Sequence, residues 1–206
     1  MCLIVINKGK KIDLVDFREM YLVNKDGIGF MYHDTQTQRV VTQKIILKYG
    51  ELPVNMFHDR LQQIYRAYEM IYDDPKYTNL VVHFRYATVG DKILENVHPI
   101  HYKDKNGVNC FLMHNGTMHD YSNYYFENDY GFTPSDTYNF ATHFLSDKDR
   151  SFREIAGDVG FHQKFVILKD GDLNIHTSNL NYFVSDDELV EDGNIYSNLY
   201  WVPEGG

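Results

Sequence analysis

The chain is short of the features that mark several protein classes. Only two of its 206 residues are cysteines, Cys2 and Cys110. Two cysteines cannot build a disulfide framework or a zinc site of the CxxC kind. The five prolines, at 53, 75, 99, 134 and 203, are scattered. There is no Pro-, Gly- or Ser-rich linker, no internal repeat and no low-complexity stretch, so a single domain over residues 1–206 is expected. Positive charge is also scarce. Lys and Arg number 20 against 29 Asp and Glu, a net charge of −9, which argues against a nucleic-acid-binding face. Long apolar runs are missing too. The opening run Met1 to Ile6 is followed by Asn7 and Lys8, too short for a signal peptide and with its charge on the wrong side. Nothing approaches the length of a membrane span. The expectation is a cytoplasmic protein with neither a membrane nor a nucleic acid as partner. Aromatic residues, by contrast, are plentiful at 15%, and 43% hydrophobic residues over this length suffice for a sizeable core.

The apolar pattern predicts a mixed set of elements. Residues 2–6 form a continuous apolar strand, a pattern that fits burial on both faces. Leu14, Phe17 and Tyr21 fall on one side of a short helix over 14–23. Residues 29–33 and 39–48 make a strand pair. Phe57, Leu61, Ile64, Tyr68 and Ile71 keep helical rhythm after Pro53, and the helix must stop before Asp73-Asp74-Pro75. Residues 79–85 read as a strand, 87–98 as a loop around Gly90 and 109–113 as a strand. Ser135 caps a helix over 136–145, residues 165–176 spell a hairpin, and short strands lie near Tyr182 and Ile195. The strands come in antiparallel groups with helices between the groups, which favours an α+β fold over a doubly wound parallel sheet.

Four clusters carry potential chemistry, each with an ordinary structural alternative. Cys2, once an initiator methionine is removed, would hold a thiol and a free α-amine on one residue. The amine, with a pKa of about 7.7–8.0, can take the proton of a thiol of about 8.5. The alternative is a small hydrophobe at a strand start. Arg85 leaves an apolar strand into a loop, where its planar fork can hold a carboxylate with help from the Thr88 hydroxyl; it can equally cap the strand through an ion pair. Asn115 and Gly116 can offer a side-chain amide and an unobstructed backbone N–H as an oxyanion hole, or form a plain hairpin turn. Asp136, after Ser135, can face a cavity and hold an ammonium group, or serve as the acidic first turn of a helix. The histidines at 98, 101, 114 and 119 are too loosely spaced for a zinc site, and Gly27-Ile28-Gly29 lacks the third glycine of a dinucleotide loop. Neither a metal nor a cofactor is expected. The tyrosine-rich stretch 121–130 reads as an aromatic surface segment.

Taken in order, Met1-Cys2, HFRYAT at 83–88, His98-Pro99, HNG at 114–116 and SDT at 135–137 resemble the class II glutamine amidotransferase domain of the N-terminal nucleophile (Ntn) hydrolases. The closing IYSNLYW at 195–201 is similar to the end of stand-alone members. One departure is Leu3, where many members have glycine after the cysteine. The resemblance implies a four-layer αββα sandwich of two antiparallel sheets flanked by helices. It implies Cys2 as the nucleophile that attacks the glutamine side-chain amide, forming a γ-glutamyl thioester and releasing ammonia. Asn115 and Gly116 match the oxyanion hole, Arg85 with Thr88 the α-carboxylate clamp and Asp136 the holder of the α-ammonium. His98 matches a loop histidine near the site, and Tyr86 a residue at the pocket mouth. The implied substrate is glutamine, with a separate ammonia-accepting synthetase or ligase subunit as partner. Two other readings stay open: an amidase of the same fold acting on another γ-glutamyl compound, and a catalytically silent ligand-binding protein.

Overall fold

The computed structural model describes residues 2–47, 50–122, 131–146, 154, 159, 162–178, 183–185 and 193–202. Two antiparallel sheets stack face to face. The larger contains β1 (Leu3–Ile6), β2 (Ile28–Asp34), β3 (Arg39–Ile45), β4 (Tyr77–Phe84), β9 (Val184–Ser185) and β10 (Ile195–Tyr196), in the order β3-β2-β4-β1-β10-β9. The smaller contains β5 (Ile100–Lys103), β6 (Asn109–Asn115), β7 (Lys164–Lys169) and β8 (Asp172–Thr177), in the order β5-β6-β7-β8.

Strand alternation sorts the apolar side chains into three cores. Leu3, Val5, Phe30, Val82 and Phe84 point from the large sheet toward helices α1 (Leu14–Val23) and α2 (Val54–Asp73). Ile4, Ile6, Met31 and Val81 point the other way and meet Met113, Val166 and Leu168 of the small sheet. The outer face of the small sheet, with Leu112, Phe165 and Ile167, packs against Met118, Phe140, Ala141 and Leu145. These last come from a segment holding α3 (His119–Ser122), α4 (Asp136–Asn139) and a π turn, Phe140–Phe144. The layers are therefore α, β, β, α, the expected sandwich. β1 lies between β4 and β10 with all four side chains buried, which is why it is continuously apolar. Each such side chain contributes roughly 1.5–3 kcal/mol.

Each helix shows the local reason for its bounds. The Asp13 carboxylate accepts the Asp16 N–H at 2.9 Å and caps α1. In α2 the five residues expected on one face are all buried. Ser135 caps α4 by accepting the Tyr138 N–H at 3.1 Å.

Several details differ from the sequence reading. The helix expected over 136–145 is one α turn that widens into the π turn. Within the 87–98 loop, Leu94–Asn96 forms a 3-10 turn. β5 was not anticipated, although Ile100 and Tyr102 alternate inward with His101 and Lys103 outward. Asn115-Gly116 is not a hairpin turn: β6 runs through Asn115, and Gly116 leads toward α3. The strand pair at 29–48 ends at Ile45. The strand expected near Tyr182 and the stretch 123–130 lie outside the described residues, with β9 next to the first.

Candidate active site

The fold brings the ends of three strands together at one end of the sandwich. β1 and β4 are antiparallel with Leu3 opposite Phe84, so Cys2, just before β1, lies beside Arg85 and Tyr86, just after β4. The Tyr86 N–H reaches the Cys2 Sγ at 3.4 Å, and the thiol points back at the Tyr86 carbonyl at 3.4 Å. β6 delivers His114 to Gly116 from the facing sheet, and the start of α4 delivers Ser135 to Thr137. Cys2, Arg85, Tyr86, Thr88, His98, Gly116 and Asp136 all line one cleft of about 270 Å³, counting space open to solvent. Asn115 does not line it. Its side-chain amide donates to the Ser197 hydroxyl at 2.7 Å.

Arg85 is the most unusual group in the cleft. It is only 3% exposed. Its Nη2 donates to the Val89 carbonyl at 3.2 Å, whereas Nη1 is buried without a partner among the described residues. Burial lowers its pKa, and the nearby Cys2, Asp26 and Asp136 work in the opposite direction. A guanidinium remains charged in proteins, so a buried N–H with no acceptor is costly unless an anion fills the cleft.

Asp136 stands at the start of α4. One oxygen accepts the Met118 N–H at 2.7 Å, the other the Thr137 N–H at 2.8 Å. Its charge is thus held by N–H groups of two segments, and the cleft carries one fixed cation and one fixed anion. The Thr88 hydroxyl lies 3.5 Å from that of Thr117. Tyr86 is 44% exposed and lines the cleft.

The Cys2 thiol is enclosed although the residue as a whole is half-buried. Burial raises its pKa above the ordinary thiol value, outweighing the Tyr86 N–H and the Arg85 charge, which lower it. The thiol is therefore protonated at neutral pH and needs a base to act as a nucleophile. In the 206-residue chain the Cys2 nitrogen belongs to a peptide bond with Met1.

Three buried histidines brace the floor. His98 Nδ1 lies 2.8 Å from His83 Nε2 and accepts the His114 N–H at 3.4 Å. His114 Nδ1 lies 2.8 Å from the Thr137 hydroxyl, and its Nε2 lies 2.7 Å from Gln163 Oε1. Gln163 donates its amide to the Thr117 carbonyl at 3.0 Å, which leaves Oε1 as an acceptor and puts the His114 proton on Nε2. Burial lowers the pKa of all three, that of His83 to about 3. They are neutral, and His98 accepts at Nδ1, so its ring carries its proton on Nε2.

Gly116 has φ +155°, and a Cβ there would collide with the Gln163 side chain. Only glycine lets the backbone pass between Gln163 and the cleft. Further residues that position the site had no signal in the sequence. Asp26 accepts the Ala87 N–H at 2.8 Å and pairs with Lys92 Nζ at 2.7 Å, pinning the loop that carries Arg85 to Thr88. Asn96, fully buried, accepts the Ser135 N–H at 2.8 Å and donates to the carbonyls of Asp91 and Thr133. Ser197 and Asn198 hold Cys2, Ile4 and Asn115. Among the described residues, no group of three His, Cys, Asp or Glu side chains could hold a metal ion, and no helix is long and apolar enough to cross a membrane.

Two stacked antiparallel sheets between helical layers make this an α+β sandwich. Among solved structures the chain is similar to the glutamine phosphoribosylpyrophosphate amidotransferase from B. subtilis complexed with ADP and GMP, with a TM-score of 0.53 and 13% identity over 95% of this chain. The chain spans 41% of the length of that protein, and at such identity the likeness is one of fold. A structure described as the allosteric regulatory enzyme of purine biosynthesis aligns at a TM-score of 0.46 with 16% identity, over 82% of this chain and 36% of the other. No family model and no curated protein matches the sequence.

Proposed function

We propose that this chain is a glutaminase-type hydrolase of the class II glutamine amidotransferase kind, with Cys2 as nucleophile after removal of Met1. The observation that carries this reading is the buried, unpartnered Arg85 nitrogen in the same cleft as the Cys2 thiol and the Asp136 carboxylate. Glutamine is a zwitterion with an uncharged amide at its far end. Arg85 meets the α-carboxylate and Asp136 the α-ammonium. A head group fixed by two opposite charges leaves the amide carbon to be presented to Cys2, a gain in proximity and orientation.

The steps follow from the groups present. The free α-amine of Cys2 takes the thiol proton, and Sγ forms a bond to the amide carbon. The carbonyl π pair moves onto oxygen, which the Gly116 N–H stabilises, joined by the Asn115 amide if its NH2 end turns away from Ser197. The protonated α-amine of Cys2 returns the proton to the amide nitrogen, the oxyanion pair re-forms the carbonyl as the C–N bond breaks, and ammonia leaves. Water, deprotonated by the same amine, then cleaves the thioester to give glutamate and the free thiol. Hydrolysis is complete without a partner; a separate synthetase or ligase subunit is the partner that would consume the ammonia if the chain works as an amidotransferase subunit.

The test is trapping. A glutamine analogue with an electrophilic γ-carbonyl should add one mass equivalent to a protein that has lost methionine, on Cys2. Mature protein that resists the analogue and releases no ammonia from glutamine overturns the reading. Labelling by analogues with other γ-substituents, without glutamine turnover, points instead to a different γ-glutamyl amide.

A further inference from the structure

Ser197 is fully buried and held from several sides. Its N–H donates to the Ile4 carbonyl at 2.9 Å, its hydroxyl accepts the Ile4 N–H at 2.8 Å, and its carbonyl accepts from Lys164 Nζ. The next residue, Asn198, donates to the Cys2 carbonyl at 2.7 Å. This short segment, 193 positions from Ile4 in sequence, thus joins the strand of the nucleophile to Asn115.

The contact between Ser197 and Asn115 poses a problem of matching. With the Asn115 Nδ2 on the Ser197 oxygen at 2.7 Å, the hydroxyl oxygen receives two donors. Among the described residues its own hydrogen then has no acceptor, and Asn115 Oδ1 is buried without a partner. A half-turn of the amide about its last bond exchanges N and O and moves nothing else. The Ser197 hydroxyl then donates to Asn115 Oδ1 and still accepts from Ile4, which matches the hydroxyl hydrogen and the amide oxygen but leaves the amide NH2 without an acceptor among the described residues. The amide NH2 now takes the place of the unpartnered oxygen, on the residue that precedes Gly116 in the chain, and Gly116 lines the cleft. A buried donor without an acceptor is stabilised when negative charge appears beside it.

We propose that Ser197 is a positioning residue that sets which end of the Asn115 amide faces the reacting carbonyl, holding the oxygen away and presenting the NH2 as an anion donor. This rests on the glutamine-hydrolysis reading above. Without the hydroxyl the amide has no reason to prefer either orientation, and with oxygen forward it repels the developing charge. The effect belongs to the transition state, so it appears in kcat and not in KM.

The experiment is steady-state glutamine hydrolysis by the mature wild-type protein and by Ser197→Ala, Ser197→Cys, Asn115→Ala and the double variant Ser197→Ala/Asn115→Ala. Loss of the fixed orientation should lower kcat about tenfold or more in Ser197→Ala with KM within about twofold of wild type. The double variant should be no slower than Asn115→Ala, because both changes remove one function. Ser197→Cys keeps the volume with a weak donor and should fall between, which keeps the test open if the alanine variant unfolds. An active wild type with undiminished kcat in both Ser197 variants overturns this inference alone. Multiplying losses in the double variant do the same. A mature wild type that does not hydrolyse glutamine overturns the function and this inference together.

Discussion

At the scale of single residues, Arg85 and Cys2 separate function from stability. Arg85 leaves a buried N–H unpaired, so the folded protein carries a cost there without substrate. Arg85→Met, which keeps the apolar stem and removes the charge, should leave the thermal midpoint unchanged or raise it, while KM for glutamine rises by about tenfold or more with a smaller loss in kcat. Thermal unfolding and kinetics on the same preparation check both halves. Asn115→Ala should show the opposite pattern, a loss on the order of 10²–10³ in kcat with little change in KM. The two thiols should also part company. Burial pushes the Cys110 thiol up to about 11, and it lies in the core behind the small sheet. Cys2→Ala should abolish turnover and Cys110→Ala should retain most of it. Because burial raises the Cys2 thiol as well, its alkylation in protein that keeps Met1 should be slow at neutral pH and accelerate as pH rises. Rapid alkylation at pH 7 in that form would contradict the environment described for it.

At the scale of elements, the site depends on loops pinned by polar groups on other elements. The loop after β4 is tied back by the Asp26 carboxylate, by the Asp26 N–H to the Arg85 carbonyl at 2.9 Å and by the Arg85 N–H to the Gly27 carbonyl at 2.8 Å. Lys92 in the Asp26 pair is largely exposed, so the ion pair itself contributes little. The bond to Ala87 is the important one, since its loss leaves a half-buried N–H unmatched. Asp26→Ala should destabilise by about 1–3 kcal/mol and raise KM, whereas Asp26→Asn, whose amide oxygen still accepts from Ala87, should recover most of both. Denaturant titration and kinetics on the two variants distinguish this from a simple surface-charge effect. The same principle explains Gly29 on β2, where a Cβ would meet the His98 carbonyl and force the loop behind the cleft to move.

At the scale of the whole molecule, acid should weaken the fold through its buried histidines. His83, His98 and His114 are neutral inside, close to the Arg85 charge and the Asp136 carboxylate. Their native pKa values lie below that of an unfolded histidine, about 6.5. Their neutral, packed state is thus fully available above pH 6.5. It is lost progressively as pH falls below that value toward the native pKa, about 3 for His83, because the unfolded chain binds protons that the folded one refuses. Two pH units below the unfolded value, His83 alone costs roughly 2–3 kcal/mol. The thermal midpoint should fall steeply between pH 6.5 and 4, and His83→Gln, which does not titrate, should flatten part of that slope. A midpoint that is level across this range would show that the three rings are not held neutral.

The apolar rhythm of the chain determined β1, α1, α2, the β7–β8 hairpin and the antiparallel grouping, because burial of one face of a helix or strand leaves a period that is local in sequence. The ordered run of Cys2, Arg85 to Thr88, His98, Asn115-Gly116 and Asp136 also made the αββα sandwich legible through family resemblance. Strand and helix pattern alone would not have chosen it. What the tertiary structure decided is which polar groups meet. Tyr86 reaches Cys2 across 84 positions and Asn198 reaches it across 196. Asp26, Asn96, Gln163, Ser197 and Asn198 leave no period and no motif, since a single polar side chain satisfied by a distant backbone group has no local signature. Asn115 was visible as a residue type, but the partner that orients its amide comes from the far end of the chain. Whether a hydrogen-bond donor faces a cleft or a core depends on the strands stacked around it, and that is settled only when the two sheets close.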